Sequence, residues 1–322
     1  MSREKNRKPS ARVPQFEITE LTNDTVKFIL SKTDLSMANA LRRVMIAEVP
    51  TLAIETIEIE ENTSPLFDEF LAHRIGLIPI VSTDIDQVKH VLECCAEGCD
   101  SCRIPFYLSV KNTDSDKKLV TTAHLKCLHP TLPSIKPSDV ADREDEDDYM
   151  NDEEQDDKNS IVIAKLARNQ ELSFKAIATK GIGKEHAKYI PVSVAVFTPE
   201  PEVSINSKAR EKLTESEQQA FTLSCPTKVF SFNQQYQQVE VDDELRCIQC
   251  QECVKFAKKM KVPDLVKVSV KPDKFRFSVE STGQHKPLDI VTMAMRILKE
   301  KLIDISQNVK AILSENSDDN QA

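Results

Sequence analysis

The feature that most restricts the fold is a short helical stripe between two strand-like runs near the start of the sequence. In this stretch, LSMANALRRVMIAEV, apolar side chains recur at helical spacing. Asp34 or Ser36 can cap the helix, and Pro50 ends it because proline disfavours helical geometry for the residue before it. Strand-like runs lie before it in residues 16–30 and after it in residues 52–59. The pattern predicts an amphipathic helix that packs on a sheet of its own chain. The apolar positions are Leu35, Ala38, Leu41, Met45, Ala47 and Val49.

Other local patterns predict turns and irregularities in the sheet. Asn23-Asp24 divides the first run into two strands joined by a turn, and the half-shift in alternation at Glu55-Thr56 predicts a β-bulge. Farther along the chain, the runs Ile161–Leu166 and Glu171–Thr179 predict a β-hairpin.

The longest periodic segment lies near the C-terminal end of the sequence. A single apolar stripe continues there over about six helical turns. A helix of that length with one stripe usually packs on a sheet or on a partner. The stripe therefore predicts a long helix, and it leaves open whether a sheet of this chain or a partner covers it. Its positions are Ile290, Met293, Ile297, Leu298, Leu302, Ile305, Val309 and Ile312.

Charge and hydropathy exclude several classes of protein. The net charge of the 322 residues is −9, but residues 139–157 alone contribute −11 and are predicted to form a disordered acidic loop. The other residues sum to +2, so no strongly basic nucleic-acid groove and no direct sequence-specific DNA contact are expected. No apolar run reaches the length of a membrane span. The basic, polar residues 1–13 lack a secretory h-region and predict a disordered tail.

The first cysteine group is a short run, ECCAEGCDSC. Thiolates at such close spacing suit tetrahedral zinc, and the alternative is a reduced loop that binds nothing. Adjacent cysteines rarely chelate one ion comfortably, so Glu93 or His90 could complete the site instead of the extra thiol. The candidate zinc ligands are Cys94, Cys95, Cys99 and Cys102, in a loop of residues 90–102.

The second cysteine group has the CxxCxxC spacing of a ferredoxin, with a Cys-Pro upstream. Position 257, where the cysteine of a second cluster would lie, is Ala257. The complement therefore predicts one [4Fe–4S] cluster; zinc in the same cysteines, or no bound group, are the alternatives. The candidate iron–sulfur ligands are Cys225, Cys247, Cys250 and Cys253.

No catalytic constellation is evident in the sequence. It lacks the phosphate-binding GxxxxGK[ST], the nucleophile motif GxSxG, the zinc-protease motif HExxH and an acidic triplet for polymerase magnesium ions. His73 and His186 have no nucleophile or carboxylate pair at useful spacing, so a structural role is expected for both. These observations predict a non-catalytic protein.

Two motifs carry a family resemblance. The run from the first helix through DEFLAHRIGLIPI, which ends at Ile80, and the run GIGKEHAK, Gly181 to Lys188, together resemble the α-like subunits of cellular RNA polymerases. That family comprises the bacterial α subunit, the archaeal D subunit and the eukaryotic equivalents. The resemblance covers about residues 14–200, returns at Phe275–Gly283 and the last helix, and is strongest to the polymerase II branch.

The resemblance implies an α+β fold with a split dimerisation domain, residues 1–48 and 196–322. A β-rich insert domain would occupy residues 49–195, and a ferredoxin-like module at 222–262, typical of archaeal D subunits, would interrupt the dimerisation domain. The polymerase II branch carries C-x-C-x3-C-x2-C in its zinc loop. Aligned on the last three cysteines, this chain has Glu93 at the first position.

The resemblance also implies a function and partners. The expected role is a non-catalytic assembly scaffold of nuclear DNA-directed RNA polymerase II. It would heterodimerise with a small L-type subunit of the eleventh-subunit class and dock the second-largest and largest subunits. The alternatives are a redox-active iron–sulfur protein, or the equivalent subunit of polymerases I and III or of an archaeal-type polymerase. The candidate interface residues are Leu41, Arg42, Arg43, Met45, Leu298, Leu302 and Ile305.

Overall fold

The structure, a computed structural model, describes most of the chain. The described residues are 13–318, with gaps at 95–98, 130–131, 133–134 and 139–159. The predicted acidic loop and residues 1–12 of the predicted tail lie outside the described residues. None of the helices formed by the described residues has the sustained hydropathy that a membrane span requires.

The described residues form a mixed α+β fold, which confirms the expected class. The strands are β1 Gln15–Leu21, β2 Thr25–Ser31, β3 Pro50–Asn62, β4 Ile104–Lys111, β5 Lys118–Thr121, β6 Lys126–Cys127, β7 Val162–Leu166, β8 Glu171–Ile182, β9 Val192–Ile205, β10 Phe230–Asn233, β11 Gln238–Val241 and β12 Val266–Ser281. The helices are α1 Leu35–Ala47, α2 Asp68–Gly76, α3 Ser207–Arg210, α4 Glu215–Leu223, α5 Glu252–Lys259 and α6 Pro287–Asp318.

The chain divides into two compact units. The described part of the first unit comprises residues 13–19, Phe28–Ala38 and Phe197–Phe277; the second comprises Glu20–Lys27, 39–196 and 278–318, with the gaps given above. This division follows contacts within the chain and does not test the boundaries predicted for the dimerisation and insert domains. The predicted domain boundaries therefore stay a prediction.

The second unit is built around an antiparallel sheet in the order β3-β8-β4-β6. The register of β3 against β8 shifts between Ile54 and Thr56, which confirms the predicted bulge. Helix α2 buries Leu71 and Ile75 in the same core as Leu52 and Ile54. The apolar alternation of β3 thus faces a helix, as expected of a half-buried strand.

The predicted hairpin of β7 and β8 is wrong. A turn with Asn169 at φ 63° does separate the two strands. However, β7 pairs with β5 in a separate two-stranded sheet, and β8 lies between β3 and β4. Adjacency in sequence indicated the turn, but β8 pairs along one edge with β3 and along the other with β4, so it has no edge left for β7.

Strands β1, β2, β12 and β9 form another four-stranded sheet in that order. The first two are joined by the expected turn, in which the Thr22 N–H donates to the Thr25 carbonyl at 2.9 Å. In the first unit, the rings of Phe28 and Phe277 stack with centroids 4.7 Å apart, and Phe197 packs on Phe277 at 5.1 Å. Such pairs add to the stability from apolar burial.

Helix α1 begins where the sequence indicated. The Asp34 carboxylate accepts the Met37 N–H at 2.9 Å, so Asp34 acts as the cap. At its other end, the Ala47 carbonyl accepts the N–H of Lys184 at 3.0 Å. A Cβ at Gly183 would clash with the main-chain oxygen of Ile46, so only glycine allows this close approach. The GIGKEHAK motif therefore has a structural role against the end of α1.

Candidate functional site

The first cysteine group brings three thiols together in the second unit. The sulfurs of Cys94, Cys99 and Cys102 all lie within 4.8 Å of one another, and the Cys94 and Cys99 sulfurs are 3.4 Å apart. Cys94 follows a single 3₁₀ turn, Val91–Glu93, and Cys102 lies just before β4. Cys95 lies outside the described residues.

A tight turn sets the positions of two of these sulfurs. The Cys102 N–H donates to the Cys99 carbonyl at 3.0 Å, and the Cys99 N–H donates to the Cys102 sulfur at 3.4 Å. Burial raises the pKa of the Cys102 thiol, so this thiol must release a proton when it binds a metal. A main-chain N–H aimed at sulfur favours the thiolate that a metal requires.

This donor set fits zinc. A zinc–thiolate bond of about 2.3 Å in a tetrahedron places the sulfurs about 3.8 Å apart, which is close to the spacing found. His90 has both ring nitrogens engaged elsewhere: Nδ1 accepts the Leu92 N–H at 3.2 Å, and Nε2 lies 3.3 Å from a Glu185 carboxylate oxygen. Three thiols are thus in place, and the fourth ligand stays a prediction.

The second cysteine group lines a single cavity in the first unit. The four sulfur-bearing residues, Cys225, Cys247, Cys250 and Cys253, share this cavity with apolar side chains that include Val203 of β9 and Val268 of β12. No three of these four sulfurs all lie within 4.8 Å of one another, a spacing that among the described residues only the first group reaches. A four-iron cluster holds its thiolates farther apart than one zinc ion does.

The thiols that line this cavity affect one another's pKa. Burial raises the pKa of Cys253 to about 11, and the neighbouring Cys225, Cys247 and Cys250 add to this rise. Burial also acts to raise the pKa of Cys225, but hydrogen bonds from the Val229 N–H and the Thr227 region outweigh it, so this pKa is lowered. One thiol of the cavity is thus prepared for ionisation, whereas another needs a metal to ionise it.

The backbone between these cysteines is unusual. Gln249 and Gln251 take positive φ angles of 58° and 65°. Left-handed conformations are costly for residues other than glycine, by about 1–2 kcal/mol each. Nearby, the Lys271 ammonium bridges Glu200 at 2.6 Å and Glu244 at 3.6 Å, which ties the turn before Cys247 to β9 and β12. The surrounding structure therefore imposes this loop shape.

The candidate interface residues fall into two groups. Leu41 and Met45 of α1 are buried within this chain, Arg42 is half-buried and donates to the Asn39 side chain, and Arg43 is exposed. On α6, the stripe is buried at Ile290 but exposed at Leu302 and Ile305, which are 51% and 59% accessible, and Leu298 is half-buried. The exposed side chains continue to Val309 and Ile312.

The two histidines considered as catalytic candidates, His73 and His186, lie at the surface without catalytic partners among the described residues. His73 is exposed on α2, and His186 uses Nδ1 to accept the Lys188 N–H at 3.1 Å. A different histidine, His129, is buried and contacts the turn between Cys99 and Cys102. It stands 27 residues beyond that turn in the sequence, and no local pattern links the two.

Comparison with known proteins gives consistent matches over most of the chain. The family profile described as the RNA polymerase Rpb3/Rpb11 dimerisation domain matches residues 27–302. DNA-directed RNA polymerase II subunit rpb3 of Dictyostelium discoideum is 45% identical over 91% of this chain and 94% of its own length. Subunit 3 of RNA polymerases II, IV and V of Arabidopsis thaliana is 41% identical over 90% of each chain. DNA-directed RNA polymerase subunit Rpo3 of the archaeon Methanosphaera stadtmanae is 33% identical over 90% of this chain and 96% of its own length.

Proposed function

This chain belongs to the RNA polymerase Rpb3/Rpb11 dimerisation-domain family, and we propose that it is a non-catalytic assembly subunit of nuclear DNA-directed RNA polymerase II. Its role is to pair with a small L-type subunit and to carry the second-largest and largest subunits. The similarity to polymerase II subunits in two distant eukaryotes supports this class over the archaeal and redox alternatives.

The observation that carries the proposal is the exposed half of α6. Four apolar side chains, Leu302, Ile305, Val309 and Ile312, are each at least half exposed. Their spacing of three and four residues is that of a face that packs on another helix. A soluble chain rarely exposes such a row unless another protein covers it.

Purification of the tagged chain from its own cells tests the proposal. We expect the L-type subunit and the two largest polymerase subunits to copurify with it in equal amounts, with DNA-dependent RNA synthesis in the purified material. A tagged chain that is recovered without polymerase subunits would contradict the scaffold role. If the chain is split into a dimerisation domain (1–48 and 196–322) and an insert domain (49–195), the dimerisation domain should bind the L-type subunit.

The first cysteine group is proposed to bind one structural zinc ion. Three close thiols and a main-chain N–H directed at sulfur support this assignment. We expect about one zinc per chain in this group, and Cys99→Ser or Cys102→Ser should release it. Cys95→Ser, Glu93→Ala and His90→Ala variants then identify the fourth ligand. Full zinc retention in a Cys99/Cys102 double-serine variant would refute the site.

The second cysteine group is proposed to bind a [4Fe–4S] cluster. The CxxCxxC spacing with an upstream Cys-Pro, and four cysteines that line one cavity, support this assignment. Anaerobically purified protein should be brown with about four irons per chain, and each single Cys→Ser change should remove or destabilise the cluster. Colourless protein with zinc bound at these cysteines would contradict the cluster and leave the scaffold role intact. A four-serine variant that assembles normally but loses electron transfer would favour the redox alternative.

A further inference from the structure

A buried histidine holds the turn of the first cysteine group from outside the cysteine run. His129 is only 5% exposed, and its Nε2 lies 2.6 Å from the main-chain oxygen of Asp100. Its Nδ1 accepts the Leu132 N–H at 3.1 Å. A neutral imidazole has one donor and one acceptor nitrogen, so the ring proton lies on Nε2 and is donated to Asp100.

This hydrogen bond acts on the part of the chain that places two sulfurs. Asp100 lies between Cys99 and Cys102, and the next carbonyl, of Ser101, accepts the Lys89 N–H at 2.8 Å. With both carbonyls held, the peptide groups on either side of Ser101 have fixed orientations. The second of these groups carries the N–H by which Cys102 donates to the Cys99 carbonyl at 3.0 Å, and the Cys102 sulfur accepts the Cys99 N–H at 3.4 Å.

We propose that His129 is a positioning residue for the metal site of Cys94, Cys99 and Cys102. It does not touch the metal, and it acts through the Asp100 carbonyl. This inference rests on the proposed zinc function of the group. Loss of a group that orients metal ligands typically lowers metal affinity by about 10–100-fold.

Two substitutions separate the two hydrogen bonds of the ring. His129→Asn keeps an acceptor near the position of Nδ1 for the Leu132 N–H, but its side chain is too short to reach Asp100. His129→Gln keeps an N–H near the position of Nε2, so it can still donate to Asp100. The matched controls are His73→Asn and His73→Gln, at an exposed histidine of α2.

Zinc-dependent protection of Cys99 from alkylation gives a readout specific to this site. Cys99 is exposed, so it should react readily when no metal is bound, and bound zinc should protect it. Full-length protein is alkylated in a series of buffered free-zinc concentrations, and the Cys99 peptide is quantified by mass spectrometry. Because only this peptide is counted, metal at the second cysteine group does not contribute. The thermal midpoint at saturating zinc reports on the fold.

The zinc concentration that gives half-protection should rise about 10–100-fold in His129→Asn, stay close to the unmodified protein in His129→Gln, and not change in the His73 variants. Unchanged half-protection in His129→Asn would overturn the inference and leave the zinc site standing. If the half-protecting zinc concentration rises equally in the Asn and Gln variants, and the thermal midpoint falls equally in both, then His129 only stabilises the core. If zinc fails to protect Cys99 in the unmodified protein, the zinc site fails and the inference fails with it.

Discussion

The two halves of α6 share one apolar pattern, but the first half is largely buried and the second half is exposed. In the first half, Ile290, Val291 and Ala294 are fully buried, and Met293 packs against the core of the second unit. In the second half, every residue from 299 to 312 is exposed, although the apolar stripe continues. The periodicity that builds a core in one half is therefore not covered by any of the described residues in the other.

The difference shows that amphipathic periodicity alone does not tell whether a helix serves the fold or a partner. Both halves would contribute the same free energy per unit of apolar area if covered, about 25 cal/mol per Å². Only the first half gains this free energy within the chain. A 32-residue helix that extends well beyond its own core is therefore best explained by a second protein that covers the rest.

The largest contrast should come from placing the same charge in each half. Ile290→Asp should cost about 3–5 kcal/mol of folding free energy because it leaves an unpaired charge in the core. Ile305→Asp, on the exposed half, should change the stability of the isolated chain by less than about 0.5 kcal/mol. Urea unfolding followed by circular dichroism, at a protein concentration low enough for the chain to be monomeric, measures both. Comparable losses at the two positions would show that the two halves do not differ as described.

The exposed half should also make the isolated chain self-associate. When no partner is present, two copies of the chain can bury the apolar side chains at 302, 305, 309 and 312 against each other. Sedimentation velocity over a range of concentrations should show oligomers that Ile305→Asp and Val309→Asp abolish. An unmodified chain that stays monomeric at every concentration would contradict this expectation.

A smaller difference should appear with pH near the start of α6. Burial lowers the pKa of His285, whose Nε2 donates to the Pro50 carbonyl at 2.8 Å. The unfolded histidine takes up a proton near pH 6.5 and the folded one does so only at lower pH, so stability falls as the pH drops below about 6.5. The slope contributed by one group is at most about 1.4 kcal/mol per pH unit.

His285→Gln keeps a donor for Pro50 and removes this titration. Thermal midpoints of the unmodified chain should therefore fall more steeply between pH 6.5 and pH 5 than those of the variant. Parallel pH profiles for the two proteins would show that His285 contributes no proton linkage.

The smallest effect concerns the ion pair at the junction of the two halves. The Lys301 ammonium lies 2.6 Å from a carboxylate oxygen of Glu48, and the lysine side chain is half exposed. Exposed pairs of this kind contribute about 0.2–1 kcal/mol and are screened by salt. Lys301→Ala should lower the stability of the isolated chain by no more than that amount, measured in low salt and again in 0.5 M salt, with Lys299→Ala as the exposed control. A loss of several kcal/mol would place the pair in the core.

The sequence predicted local structure better than pairing. The cap of α1, for which Asp34 was one of two candidates, and the bulge after Ile54 follow from local sterics and hydrogen bonding, and the structure confirms them. The predicted hairpin failed because β7 and β8 each find a better partner elsewhere, a choice that depends on the whole sheet. Where α6 leaves the core also could not be predicted, because one stripe spans both halves.

The candidate metal sites show the same limit. Cysteine spacing indicated two thiol groups, and the structure brings three thiols of the first and four of the second together. The spacing of the sulfurs, which bears on the choice of metal, depends on tertiary structure. The contact of His129 with Asp100 spans 29 residues and has no signature in the sequence.

Native mass spectrometry after coexpression shows whether the exposed half of α6 is the surface that binds an L-type subunit. We expect a 1:1 heterodimer for the unmodified chain and for Gln307→Asp, which adds a charge at an exposed polar position of the same helix. We expect Leu302→Asp to weaken pairing by about 100-fold or more, since a buried unpaired charge costs about 3–5 kcal/mol. A Leu302→Asp chain that pairs as tightly as the Gln307→Asp control would show that this surface does not bind the L-type subunit.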